Sequence, residues 1–183
     1  MLRGNFRNLT NFITKNGQPI LGQDNIISNI ENMTILIIRF LNILMAGLIA
    51  GILFGIWIGY NPQSLSAPTY VEHQQSVIKS LNTLMPLFGL ITIVLTVISA
   101  FMQRDNKSLF ISLLVAAVLL IISGLITRFG NQPINAIVMT WNKIELPGNW
   151  TELRDKWWSL HIARAVTAIS AFCFIVWSSM RKD

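Results

Sequence analysis

Charged residues are scarce in this chain. Only 12% of its 183 residues are Asp, Glu, Lys or Arg, 52% are hydrophobic, and the mean hydropathy is +0.54. That balance excludes an ordinary soluble domain, in which about a quarter of the residues are charged, and points to a single bilayer-embedded domain. Cysteine is nearly absent as well. Cys173 stands alone inside an apolar run, so neither an intrachain disulfide nor a thiolate metal cluster can form. Imidazole is limited to His73 and His161. The net charge is +6, yet no nucleic-acid-binding signature accompanies it, and cations flanking membrane segments account for the excess. The expected surroundings are therefore a lipid bilayer and not nucleic acid. Residues 1–33 are polar and Asn-rich, with a turn at Gly17-Gln18-Pro19. They lack the apolar core of a cleaved secretory signal and read as a cytoplasmic tail in which Ile26, Ile27 and Ile30 are spaced for a short surface helix.

What the chain does have is long apolar runs, over residues 34–60, 77–102, 109–126 and 160–180. At about 1.5 Å per helical residue, runs of this length suit a hydrocarbon layer roughly 30 Å thick. The expected fold is an all-α membrane protein: a polar tail (1–33) followed by a four-transmembrane-helix bundle (34–183), with a short helical lid between helices 3 and 4. Asn61-Pro62 should end the first span, and Pro86 should kink the start of the second and free a carbonyl there. Gly47, Gly51, Gly55 and Gly59 recur every fourth residue, a smooth face for close helix packing or a homo-oligomer contact; the same face would also admit a flat ligand or lipid. With both termini cytoplasmic, eight of the fourteen Lys and Arg lie inside (Arg3, Arg7, Lys15, Arg39, Arg104, Lys107, Arg181, Lys182). Lys79, Arg128, Lys143, Arg154, Lys156 and Arg164 remain outside.

The segment from Arg128 to Arg164 departs most from the apolar background, carrying four of the six Trp and one of the two His. Asn131-Gln132-Pro133 reads as a helix start, with proline where no backbone N–H is needed. Leu146-Pro147-Gly148 is a break, and Asn149 with Glu152 has the spacing of a capping box, so a last helix should begin near Trp150. Along it Arg154, Trp157, His161 and Arg164 share one stripe. A stripe of this kind either lines an inward pocket or forms an interfacial aromatic belt with snorkelling arginines.

Three chemistries fit these residues. Glu72, His73 and His161 offer a facial triad for mononuclear iron, although neighbours on a helix diverge by about 100°. His73 and His161 on different helices could ligate a haem or a copper ion. A cofactor-free site would use His161 as base, with Arg164, Arg128 and the amides of Asn131 and Asn135 stabilising an oxyanion. The candidate catalytic residues are therefore His161, Arg164, Asn131 and Asn135. Arg128, Trp157, Asn82 and Gln75 are candidates for substrate binding.

Asn131-Gln132-Pro133-Ile134-Asn135 resembles the Asn-x-Pro-hydrophobic-Asn signature of the anthrone oxygenase-like family of small four-helix membrane proteins. Trp157-x-x-x-His161-x-x-Arg164 is similar to that family's later Trp-x-x-x-(Asn or His)-x-x-Arg element, and Gln75, Asn82 and Pro86 are similar to the polar start of its second helix. The resemblance spans residues 35–180. It implies a membrane-embedded oxidoreductase that oxygenates an anthrone-like or quinone-like aromatic with dioxygen, without a tightly bound cofactor and with His161 as the base. The rival reading is a non-catalytic membrane subunit that binds a partner helix or a lipid.

Overall fold

The computed structural model describes residues 23–181, with side chains from residue 25. The tail cations Arg3, Arg7 and Lys15, the Gly17-Gln18-Pro19 turn and Lys182 lie outside the described residues. Helix α1 spans Gln23–Gly59. A 3-10 turn at Pro62–Ser64 leads to α2 (Ala67–Leu81) and α3 (Leu84–Met102). Helix α4 (Lys107–Leu125) passes through a π-helical segment, Ile126–Asn131, into α5 (Gln132–Val138), and α6 (Trp150–Met180) completes the chain.

Among the described residues four stretches, Asn25–Ser64, Leu84–Met102, Lys107–Val138 and Trp150–Met180, are long and apolar enough to cross a membrane. The protein is an all-α integral membrane bundle. Large apolar side chains such as Phe101, Val118 and Trp177 stay more than half exposed, as a lipid-facing surface requires.

Several elements run differently from the sequence reading, each for a local reason. Helix α1 starts at Gln23, so the surface helix expected at Ile26 and the first span are one element; neither glycine nor proline occurs before Gly47 to interrupt it. The second apolar run is divided: α2 ends at Leu81, and Asn82-Thr83 separates it from α3. Pro86 is the third residue of α3, where its missing N–H leaves no helical bond unmade. Glu72, His73, Gln74 and Gln75, just ahead of the second apolar run, lie on α2, which Ser66 and Pro68 open.

The Asn131–Asn135 motif starts no separate helix. In an uninterrupted helix Pro133 would clash with the carbonyl four residues back, and the wider π turn just before it removes that conflict. The short helix expected as a lid is thus an extension of α4. Helix α6 does start at Trp150, but Asn149 makes no side-chain capping bond, so the expected capping box is not formed.

From Ile38 onward the helices form one compact unit. One half of its core is made of small residues: Ala46, Ala100, Ala116 and Ala171 pack with Leu113, Leu120 and Ile175. Polar glue joins α1 to α3, where the buried Thr96 hydroxyl donates to Asn42 Oδ1 at 2.8 Å. The other half is aromatic, with Tyr60, Tyr70 and Trp157 buried among Val71, Ile78, Ile134 and Val138. The glycine face of α1 is used only in part. A Cβ on Gly47 would stand 3.4 Å from the Phe172 ring, whereas Gly51, Gly55 and Gly59 have nothing within 4 Å and are exposed.

Candidate functional site

Trp157 is the hub of the site. It is 2% exposed, and its indole Nε1 donates to Asn135 Oδ1 at 2.8 Å. Asn135 Nδ2 in turn donates to Asn82 Oδ1 at 2.8 Å, and Asn131 Nδ2 donates to the Trp157 carbonyl at 3.0 Å. Gln132 adds a bond to the Asn82 carbonyl at 3.3 Å. Gln75 Nε2 caps the last turn of α5 by donating to the carbonyls of Val138 and Trp141 at 3.0 and 3.1 Å. Amide side chains on one helical extension therefore bind α6 and the α2–α3 junction together. The break at Asn82 is what makes its carbonyl and side chain available to them.

In both Asn131 and Asn135, expected to offer amide N–H groups to an oxyanion, one of the two N–H donors goes to a protein acceptor. These bonds hold Trp157 and Asn82 in place. Asn131 Oδ1 is buried with no hydrogen-bond partner among the described residues, as are Tyr70 OH and Gln74 Nε2. Tyr70 is fully buried between Trp141 and Trp150, and burial pushes its hydroxyl pKa up from 10.0.

One turn beyond Trp157 lies His161, 0% exposed, its ring stacked on Trp157 and Trp158 with centroids 5.2 and 5.5 Å away. Arg164 donates to His161 Nδ1 through Nε at 3.3 Å and Nη2 at 3.0 Å. A guanidinium has no acceptor, so Nδ1 must present its lone pair, and the proton belongs on Nε2, which sits 3.2 Å from the Leu53 carbonyl oxygen. The imidazole is thus the neutral Nε2–H tautomer, with both nitrogens engaged. Arg164 is also placed over the Trp157 ring at 5.8 Å and lies 3.5 Å from the Thr127 hydroxyl.

Arg164 borders two adjoining spaces. The smaller, about 30 Å³, is bounded by Asn82, Asn135, Trp157 and Thr127. The larger, about 200 Å³, has apolar walls from α1, α3 and α4, including Leu53, Met85, Ile93 and Leu120. Its polar end is formed by Arg164, Arg128, Thr127 and Gln132, with Arg128 Nη1 donating to Gln132 Oε1 at 3.2 Å. An apolar chamber with two guanidinium groups at one end is chemically suited to a flat hydrophobic molecule bearing an acidic oxygen. Thr127 and Ser123, one turn apart, were not singled out from the sequence. A hydroxyl inside an apolar helix is compatible with many neighbours, and only the turn beside Arg128 hinted at a site.

The remaining candidates do not converge. His73 is exposed and stacks on Tyr60 at 4.4 Å, and exposed Glu72 pairs with Lys143 at 3.1 Å. His161 is buried with both nitrogens bonded, so Glu72, His73 and His161 do not meet as a triad, and the two imidazoles do not face a common centre. Among the described residues no group of three or more His, Cys, Asp or Glu is placed to hold a metal ion. Arg154 belongs to another environment, over the Trp150 ring and bonded to Asp155 at 2.8 Å.

No curated protein and no solved structure matches this chain. The model of the family described as anthrone oxygenase matches residues 75–174, more than half of the 183. Its span takes in Gln75, Asn82, the Asn131–Asn135 motif, Trp157, His161 and Arg164, the residues that the hydrogen bonds above join. A four-helix membrane bundle with this network at its centre therefore belongs to the anthrone oxygenase family.

Proposed function

We propose that the protein is a membrane oxidoreductase that oxygenates an anthrone-like or other phenolic aromatic bound in the 200 Å³ cavity, without a resident cofactor. The observation that carries this reading is the position of Arg164, shared between the cavity and His161 Nδ1. An oxygen of the substrate at the guanidinium gains a fixed positive charge where negative charge develops, in surroundings with few competing dipoles. Drawing Arg164 toward the substrate releases the Nδ1 lone pair, and His161 then takes the proton. The resulting carbanion or phenolate reduces dioxygen by one electron, the radical pair combines to a peroxide anion, and the proton held by His161 returns to it to give the hydroperoxide. Loss of water from it leaves a new carbonyl, so one oxygen atom enters the product and the other leaves as water. Family membership supports the reaction class; the substrate rests on the cavity and its cations.

The test is turnover. Protein reconstituted in nanodiscs is given anthrone under air, and oxygen uptake is followed together with the absorbance of anthraquinone. The reading requires uptake above that of empty discs, with one quinone per dioxygen, and its loss in Arg164→Gln. Equal rates in filled and empty discs would refute it.

A second reading rests on Gly51, Gly55 and Gly59, which are exposed with open space at each Cβ position. A partner helix or a second copy seated there would make the chain a membrane subunit. Substituting Leu at Gly55 separates the two readings, because it abolishes assembly in the second and leaves turnover intact in the first. On the sequence count of eight Lys and Arg against six, tail cations included, we take the site to open on the non-cytoplasmic face.

A further inference from the structure

We infer that the substrate is dissolved in the bilayer and reaches Arg164 sideways, through a mouth between α3 and α4. Its class is then a membrane-partitioned planar molecule whose apolar body leads and whose acidic oxygen ends at the guanidinium. This rests on the reading of the cavity given above. The mouth is formed by Pro86 and Leu90 on α3 and by Gly124 on α4, all exposed, with the polar end of the chamber one turn on in the π-helical segment. Leu90 is 60% exposed while lining the cavity, so the chamber opens on the flank of the bundle. It sits six residues into the span Leu84–Met102, roughly 9 Å along the helix from its start. What faces the mouth at that depth is hydrocarbon and not water.

Small residues on both sides leave space at the way in. A Cβ on Gly89 or Gly124 would meet no atom within 4 Å, so both walls are open at the level of the cavity. The route from the end of the bundle is much narrower. The space beside Val77, Ile78 and Leu81 amounts to about 30 Å³, against about 200 Å³ for the chamber. A fused ring system fits the first path and not the second. The exposures are consistent with this order, Leu90 being exposed and Arg164 half-buried.

Thiol accessibility tests this. On a Cys173→Ala background, Gly124→Cys and, independently, Leu90→Cys are placed at the mouth, and Ile144→Cys on the loop, where the native side chain is 93% exposed. Each variant in phosphatidylcholine nanodiscs is treated with pyrene maleimide, which partitions into lipid, or with a charged methanethiosulfonate, with and without 1,8-dihydroxyanthraquinone as probe. Relative to Ile144→Cys, the mouth positions should favour the lipid-soluble reagent by on the order of a hundredfold, the penalty for bringing a charge into hydrocarbon. The probe should slow their labelling and leave Ile144→Cys unaffected. Equal access for the charged reagent, with protection by the probe retained, overturns entry from the bilayer but keeps the site. Labelling from lipid with no protection overturns the site reading itself.

Discussion

Arg164 donates twice to the imidazole of His161, one helical turn before it, from Nε at 3.3 Å and from Nη2 at 3.0 Å. Because the acceptor is a neutral ring nitrogen, the guanidinium keeps its charge, with no carboxylate paired to it among the described residues. The pair is therefore a cation open to an anion, and the larger of the two spaces it borders is the apolar chamber.

Replacing Arg164 should act on the chemical step. Arg164→Gln removes the charge and is expected to lower kcat by about 10²–10³, the usual effect of losing one oxyanion-stabilising donor. Arg164→Lys keeps the charge but cannot donate in a fork, and should retain part of the rate. His161→Phe preserves the stacking on Trp157 and Trp158 and removes both nitrogens. Steady-state kinetics with anthrone should show kcat falling further than KM rises in each case.

Asn135 is expected to matter chiefly for stability. In Asn135→Ala the indole N–H of Trp157 and the Asn82 carboxamide lose their partners together, at a cost of about 1–3 kcal/mol. Trp157→Phe leaves a ring in place and breaks only the indole bond, so its cost should be smaller. Thermal unfolding in detergent, followed by tryptophan fluorescence for the first variant and by circular dichroism for the second, measures both.

Tyr70 gives a pH dependence of defined sign. Its hydroxyl is buried without a partner among the described residues, and its pKa is raised above 10.0 by burial. The unfolded chain binds fewer protons than the folded one once pH passes about 10, so stability present below that value is lost as pH rises toward the folded pKa. Tyr70→Phe should flatten this alkaline loss. At neutral pH it should be neutral or stabilising by up to about 1 kcal/mol, since it removes an unsatisfied polar atom. Melting temperatures from pH 7 to 11 for both proteins check the slope.

Glu72 and His73 supply the negative control. Glu72→Gln breaks only an exposed ion pair with Lys143, worth less than about 1 kcal/mol, and His73→Ala only an exposed stack on Tyr60. Turnover of both variants should match the parent, and treatment with a chelator should leave the rate unchanged. Loss of activity in His73→Ala together with sensitivity to chelator would restore a metal site to consideration.

The bundle was legible in the sequence because apolar runs of bilayer length leave little choice of fold, and Trp157, His161 and Arg164 were legible because three such residues share a stripe facing inward. The roles were harder to read. Pro133 ordinarily marks a helix start, and the π turn that carries the helix through it accompanies a close approach of another helix: a Cβ on Gly130 would stand 3.0 Å from Leu160. The amides of Asn131 and Asn135 look like donors awaiting a ligand until the Trp157 carbonyl and the Asn82 side-chain oxygen are placed beside them. The glycines of α1 carry the spacing of a packing face, yet which of them meets a neighbour depends on where Phe172 falls. The chamber itself is a property of four helices at once, and only Arg128 and Arg164 announced its polar end.

The most direct test of the account is the ionisation of a phenol bound beside Arg164. 1,8-Dihydroxyanthraquinone changes colour as it loses its proton, so its titration can be followed by absorbance in nanodiscs carrying the protein, in discs carrying Arg164→Gln and in empty discs. The account predicts that the bound dye ionises at lower pH than in empty discs, by about one unit or more, and that Arg164→Gln abolishes the difference. A bound dye that titrates as it does in lipid alone, or at higher pH, would contradict it.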